Sequence, residues 1–76
     1  MEAAGSMVLW RLHRAASAAK VERSHAVMLP GGPPFTIAFF ANGEMDRVEN
    51  YDTGDLALFR AEEIKRSLMA DDWKED

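Results

Sequence analysis

Residues 35–51 read FTIAFFANGEMDRVENY, and this stretch decides the fold. Its first seven residues are rich in strand formers, and Asn42-Gly43 supplies the two residues of a type I′ turn, both of which need positive φ. The chain then returns over residues 44–51. The pattern predicts a tight β-hairpin whose two-residue turn fixes the register. The predicted pairs are Ala41 with Glu44, Phe40 with Met45, Phe39 with Asp46 and Ile37 with Val48.

The first strand of this hairpin is apolar on both faces. With the predicted register, one face holds Phe35, Ile37, Phe39 and Val48, and the other holds Ala38, Phe40, Met45 and Tyr51. The returning strand is mostly polar. We therefore expect residues 35–41 to be a central strand and residues 44–51 to be an edge strand.

A capped helix follows the hairpin. Asp52 or Thr53 can cap it, and Asp55 places negative charge near its positive end. The pattern predicts a helix over about 54–69, with an inward stripe of small and aliphatic residues. That stripe consists of Ala57, Ala61, Ile64 and Leu68. Leu56 and Phe59 fall outside it, so a second surface is expected to bury them.

The N-terminal segment also shows helical periodicity. From residue 7 to about 22, one face collects Val8, Leu12 and three alanines, and alanine is the best helix former. The segment is predicted to be a helix. The alternation of Val8, Trp10 and Leu12 leaves a strand as the alternative. Residues 24–29 are apolar and end at Pro30-Gly31-Gly32-Pro33-Pro34, a loop, so they are predicted to be a further strand.

These elements predict an α+β fold in the order α-β-β-β-α. A three-stranded antiparallel meander (about 24–29, 35–41 and 44–51) forms one layer, and both helices cover its Phe35/Ile37/Phe39 face. Residues 7–70 are expected to form a single domain and residues 71–76 a frayed acidic tail. Residues 1–6 are expected to be a cloning-derived or disordered leader, because Gly5-Ser6 precedes a second methionine, Met7.

The composition limits the possible functions. The chain has 76 residues and no cysteine, so one domain is expected and disulfides and thiolate metal sites are excluded. No cofactor or metal site is predicted. The longest apolar run is far shorter than a membrane span, so a soluble, cytoplasmic protein is expected. Residues 7–21 also resemble a mitochondrial transit peptide in composition, which is an alternative.

Charge suggests one candidate binding patch. The net charge of −4 divides into +2 for residues 1–43 and −6 for residues 44–76. The candidate patch for nucleic acid or an acidic partner is Trp10, Arg11, Arg14, Lys20 and Arg23. The competing interpretation is that Trp10 packs under a loop or lies in a strand. The acidic second half opposes phosphate binding, so a nucleic-acid-associated regulator is the second hypothesis for function.

The leading hypothesis is a non-catalytic interaction or assembly module, of the kind found as small bacterial homodimers. Two helices on one sheet face would leave the other face open, and contiguous apolar patches on monomers usually mark interfaces. The candidate interface is Phe40, Met45, Tyr51, Leu56 and Phe59. A small enzyme is the third hypothesis. No catalytic residue is predicted, because Ser24 and His25 are neighbours that would point to opposite faces of a strand.

Overall fold

The computed structural model describes residues 5–76 and contains five strands and one helix. These are β1 (Met7–Ser17), β2 (Lys20–Met28), β3 (Phe35–Ala41), β4 (Glu44–Tyr51), α1 (Gly54–Met69) and β5 (Lys74–Glu75). All five strands pair antiparallel in one sheet with the order β4-β3-β2-β1-β5. Helix α1 packs on one side of the sheet, which we call the core face.

The predicted N-terminal helix is wrong. Residues 7–28 form the hairpin β1–β2 instead, so the sheet has five strands rather than three and a single helix covers it. The alternation around Trp10 and Leu12 was the correct signal, because both side chains are buried on the core face whereas Arg11 between them is exposed. The alanines of the predicted helical face, including Ala15 and Ala19, lie exposed at the tip of the hairpin. Strand pairing thus overrides the helix propensity of alanine.

The central hairpin is confirmed, including its turn. Strands β3 and β4 have the predicted bounds, and Asn42 and Gly43 have φ values of 53° and 84°. The predicted pairs of Ala41 with Glu44 and Phe40 with Met45 are present. Beyond them the register shifts, so that Phe39 pairs with Arg47 and not with Asp46.

This shift is a β-bulge at Asp46, and it reverses the faces of the rest of β4. Val48 pairs with Ala38, and Tyr51 pairs with Phe35. Tyr51 therefore packs against the core. The predicted faces of Val48 and Tyr51 are both wrong for this one reason.

The core is a narrow layer between α1 and the middle of the sheet. Its buried members are Trp10, Leu12, Ala26, Ile37, Phe39, Ala57 and Ala61. The two alanines are the buried residues of α1, and their small side chains let the helix lie close to the sheet. The indole Nε1–H of Trp10 donates a hydrogen bond to the backbone oxygen of Ala61 at 2.9 Å, which satisfies the polar group of a buried ring.

Both ends of α1 are defined by local chemistry. The Thr53 hydroxyl accepts a hydrogen bond from the amide of Leu56 at 3.1 Å, as an N-cap does. After the helix, the amide of Trp73 donates to the backbone oxygen of Leu68 at 3.2 Å, and the chain turns back toward the sheet. Residues 74 and 75 then pair with β1 as β5. Part of the acidic tail that is expected to fray therefore lies in a strand. The part of the predicted leader before Gly5 lies outside the described residues.

An ion-pair cluster ties β4 to α1. The Tyr51 hydroxyl donates to the Glu49 carboxylate. Arg47 and Arg60 each place a nitrogen 3.5 Å from a Glu49 oxygen. The hydrogen bond from Tyr51 lowers the pKa of Glu49, partial burial opposes this, and the two arginines lower it further. Burial and the same hydrogen bond raise the pKa of Tyr51.

We expect Gly43→Ala to destabilise the fold by roughly 1–2 kcal/mol, the cost of holding a residue with a Cβ in the left-handed region. An added Cβ at Gly43 meets no atom within 4 Å, so the loss would report backbone strain alone. The urea midpoint of unfolding is the measurement. Gly54→Ala is the matched control, since its Cβ would make ordinary contact with Phe35 and its φ is not positive. Equal urea midpoints for wild type and Gly43→Ala would contradict the left-handed conformation of Gly43 in the turn.

We expect Glu49 to make stability depend on pH in the acid range. Because its pKa is lowered in the folded state, its contribution is present above its ordinary pKa of 4.5 and is lost as the pH falls through the lowered value. Glu49→Gln should therefore lower the urea midpoint at pH 7 and leave it nearly unchanged at pH 2. The control Glu63→Gln removes an exposed partner of Arg60 and should change little at either pH. A difference in urea midpoint between wild type and Glu49→Gln that stays constant from pH 7 to pH 2 would contradict the lowered pKa of Glu49.

Candidate interaction surface

The side of the sheet away from α1 carries a band of apolar side chains. Strand register aligns them in two rows, one of Val8, Val27, Ala38 and Val48 and one of Arg11, His25, Phe40 and Met45. We call the surface formed by these eight residues the open face. Two bulges create it, because Leu9 in β1 and Asp46 in β4 are the extra residues that bring Val8 and Val48 to this side.

No second layer covers the open face among residues 5–76, where every strand lies in the sheet and the one helix packs on the core face. Val27 and Ala38 are buried in the middle of the band. Met45 and Val48 at its β4 side are 57% and 44% exposed. The open face is therefore an apolar surface of at least six contiguous side chains, and solvent reaches it mainly along β4.

Aromatic stacking organises the second row. The rings of His25 and Phe40 are parallel to within 3°, with their centroids 4.5 Å apart. The two residues are cross-strand partners, and Arg11 is the partner of His25 on the other side. The stack fixes the orientation of Phe40, so the apolar surface that it presents is preformed.

A charged end borders the apolar band. His13 Nδ1 lies 2.6 Å from one carboxylate oxygen of Asp76, and Arg23 lies 3.7 Å from the other. Lys74 is the strand partner of His13. Together with Arg11, this end of the sheet therefore carries four arginine, lysine or histidine side chains and one carboxylate. The first row of the open face, in contrast, contains only apolar residues.

The predicted interface residues divide between two surfaces. Phe40 and Met45 lie on the open face. Tyr51, predicted to lie beside them, is on the core face because of the bulge at Asp46. Leu56 and Phe59 are 53% and 68% exposed on α1. Sequence reasoning missed Val8 because it treated residues 7–22 as a helix; period-two alternation was the signal for a strand there. Val27 lies in the predicted strand 24–29, but its face depends on its pairing with Val8 and Ala38, for which no register was predicted.

The predicted basic patch is not brought together. Trp10 is a core residue, and Lys20 lies at the exposed tip of the β1–β2 hairpin. Arg14 is on the core-face side, where it pairs with Glu22 and Asp71 and stacks on Trp73 at 4.8 Å. Arg23 and Arg11 lie at the charged end of the open face. The five residues are thus divided between the core face, the open face and the hairpin tip.

Other kinds of site have little support in the geometry. Ser24 and His25 are on opposite sides of β2, as expected for neighbours in a strand, because His25 stacks on Phe40 and Ser24 pairs with the core-face residue Leu12. Among residues 5–76, no group of three or more histidine and acidic side chains is placed to hold a metal ion. Within the same range, no helix combines the length and the apolar character needed to cross a lipid bilayer.

No protein-family model, curated protein or solved structure that was compared with this chain matches it.

We expect no tight binding to nucleic acid, because the basic residues are dispersed and partly neutralised by Glu22, Asp71 and Asp76. In a fluorescence anisotropy titration with labelled single-stranded and double-stranded oligonucleotides, any binding should be weaker than about 1 μM at physiological salt, as for nonspecific contacts. Charge reversal at Arg11 should change the signal little. Sub-micromolar binding that weakens steeply with salt, and is lost in Arg11→Glu, would contradict this prediction.

Proposed function

We propose that this chain is a small non-catalytic interaction module that self-associates through the open face. The observation that carries the proposal is the apolar row of Val8, Val27, Ala38 and Val48, which no second layer of secondary structure covers among residues 5–76. Val27 and Ala38 are buried by their neighbours, and Val48 with the adjacent Met45 presents the exposed apolar surface. An antiparallel sheet can face water on one side, but that side is then normally polar. Here it is apolar along a full row across four strands.

The energetics favour covering this face. Full burial of a phenylalanine, valine or methionine side chain is worth about 1.5–3 kcal/mol. Phe40, Met45 and Val48 all retain exposed surface. Since a small domain has a net stability of only about 5–15 kcal/mol, burying three such side chains against a second copy would be a sizeable gain.

A face-to-face dimer would build a four-layer structure of helix, sheet, sheet and helix. Sheets in such sandwiches pack about 10 Å apart, with the side chains of the inner faces interdigitated. A two-fold axis uses the same patch on both subunits. The charged end around Arg11 and Arg23 selects the orientation of the two subunits, because the positive charges of one copy repel those of the other. In the dimer the apolar rows would meet at the centre. The charged ends of the two subunits would then lie at opposite edges of the interface.

The outer surface of α1 is the weaker candidate for the interface. Leu56 and Phe59 are strongly exposed and one helical turn apart, so they form a hydrophobic pair. They are followed on the helix by Glu62, Glu63 and Arg66, which are exposed and charged. The exposed apolar residues of α1 are thus divided between its first turns, which also carry Leu58, and Met69 in its last turn. The open face, in contrast, extends without interruption across β1, β2, β3 and β4.

Sedimentation equilibrium tests the proposal. We expect the wild-type protein to dimerise at micromolar to high-micromolar concentration, and Met45→Glu and Val48→Glu to be monomers, because each places a charge in the proposed contact. Both side chains are already substantially exposed, so these variants should remain folded by circular dichroism. Phe59→Glu is the matched control: an equally drastic change at an exposed apolar residue that should leave the dimer intact.

A wild-type protein that stays monomeric at high micromolar concentration would reject self-association. Loss of the dimer in Phe59→Glu with its retention in Met45→Glu and Val48→Glu would move the interface to α1. If the open-face glutamate variants lose secondary structure, Met45→Thr and Val48→Thr replace them, because threonine adds a polar group and keeps a high strand propensity.

A further inference from the structure

A cleft lies on the core face between the last turns of α1 and the sheet. Its volume is about 270 Å³. On the sheet side its lining includes Ser24 and Ala41, which are cross-strand partners and are both small. On the helix side it is lined by Ile64 and Leu68, which are half-buried. The helix thus closes tightly over the sheet at Ala57 and Ala61 but leaves space near its C-terminal end.

Four aromatic residues line this cleft. Trp10, Phe39 and Trp73 lie on the core-face side, whereas the ring of Phe40 stacks on His25 on the open face. Trp10 and Phe39 are in contact, with ring centroids 6.3 Å apart and planes inclined by 46°. The lining therefore combines an aromatic and aliphatic part with charged side chains of both signs, including Glu22 and Arg23, and sites for small molecules join apolar walls to a few polar groups in this way.

Arg47 places a guanidinium beside this apolar lining. Its Cζ is 5.0 Å from the centroid of the Phe39 ring, and its Nε is 3.5 Å from a Glu49 oxygen. Arg14 makes a similar contact with Trp73, but two carboxylates, those of Glu22 and Asp71, already lie 3.1 Å from its terminal nitrogens. Of these two stacked arginines, Arg47 is consequently the better placed to bind a further anion.

The geometry points to a second function for this chain: the cleft binds a small aromatic monocarboxylate. The ring of the ligand lies among Phe39, Trp73 and Leu68, and its carboxylate binds the Arg47 guanidinium, whose planar donors match a carboxylate. Asp46 also lines the cleft, and its negative charge disfavours ligands with more than one carboxylate. This site lies on the opposite side of the sheet from the open face, so it is independent of self-association.

The experiment uses phenylacetate, with phenylacetamide as the uncharged analogue of the same shape. Both tryptophans of the chain line the cleft, so their indole N–H signals in ¹H–¹⁵N NMR spectra report on it directly. We expect saturable shifts of the Trp73 indole signal and of the Ile64 and Leu68 methyl signals with phenylacetate. Phenylacetamide should bind about tenfold more weakly, because it lacks the charge-assisted hydrogen bond to Arg47.

Three variants separate this site from nonspecific binding. Arg47→Gln should weaken phenylacetate binding about tenfold and leave phenylacetamide binding unchanged, which also shows that the cleft still forms. Arg66→Gln is the matched control, since Arg66 is exposed on α1 and does not line the cleft. Ala41→Leu should abolish binding of both compounds by filling the cleft from an exposed strand end.

Several results would overturn the inference. One is the absence of saturable shifts up to 10 mM phenylacetate, a concentration well above the range of a specific small-molecule site. Equal effects of Arg47→Gln and Arg66→Gln would be another. Indole shifts of Trp73 that depend on protein concentration without any ligand would assign the cleft to a side chain of a second copy.

Discussion

The hydrogen bond from the Trp10 indole to the backbone of Ala61 joins the two layers at the point where they are closest. It requires the helix to approach the sheet closely, which Ala57 and Ala61 permit because they have no larger side chain. Since Trp10 is in β1 and Phe39 beside it is in β3, one buried ring joins two strands of the sheet to the helix across the middle strand β2. This contact helps to fix the position of α1 over the sheet, and that position determines which parts of the core face stay uncovered.

A single helix cannot cover a sheet of five strands. Strands are spaced about 4.8 Å apart and a helix is about 10 Å wide, so α1 shields roughly two or three strands. On the core face, the uncovered margin near the C-terminal end of α1 becomes the aromatic cleft. On the other face residues 5–76 place no helix, because the N-terminal residues predicted to form one are used for the β1–β2 hairpin. Both candidate sites therefore have the same origin.

The sequence predicts elements well where a local signal is unambiguous. Asn42-Gly43 predicted the turn and both strands of the central hairpin, and Thr53 with the Ala57–Ala61 spacing predicted α1. The N-terminal segment carried two patterns at once, and the choice between them depended on pairing with β2 and β3, which no local propensity contains. Phe40 and Met45 could be placed on an exposed sheet face from sequence because the turn fixes their register. Val8 could not, because its segment was predicted to be a helix, and Val27 could not, because the pairing of its strand had no local signal. The bulge at Asp46 had no signal, since its polar residues fit either register.

That bulge decides which side chains of β4 face the helix. Because one residue is absorbed at Asp46, Arg47, Glu49 and Tyr51 turn toward α1 while Val48 turns away from it. Deletion of Asp46 would leave Phe39 opposite Arg47 and Ala38 opposite Val48 in an uninterrupted ladder, so both faces of β4 would be kept. Loss of the bulge with Asp46 retained would instead exchange the two sets, directing valine inward and the glutamate–tyrosine pair outward. In this fold, gain or loss of a bulge in an edge strand is a direct route by which a binding surface can arise or disappear.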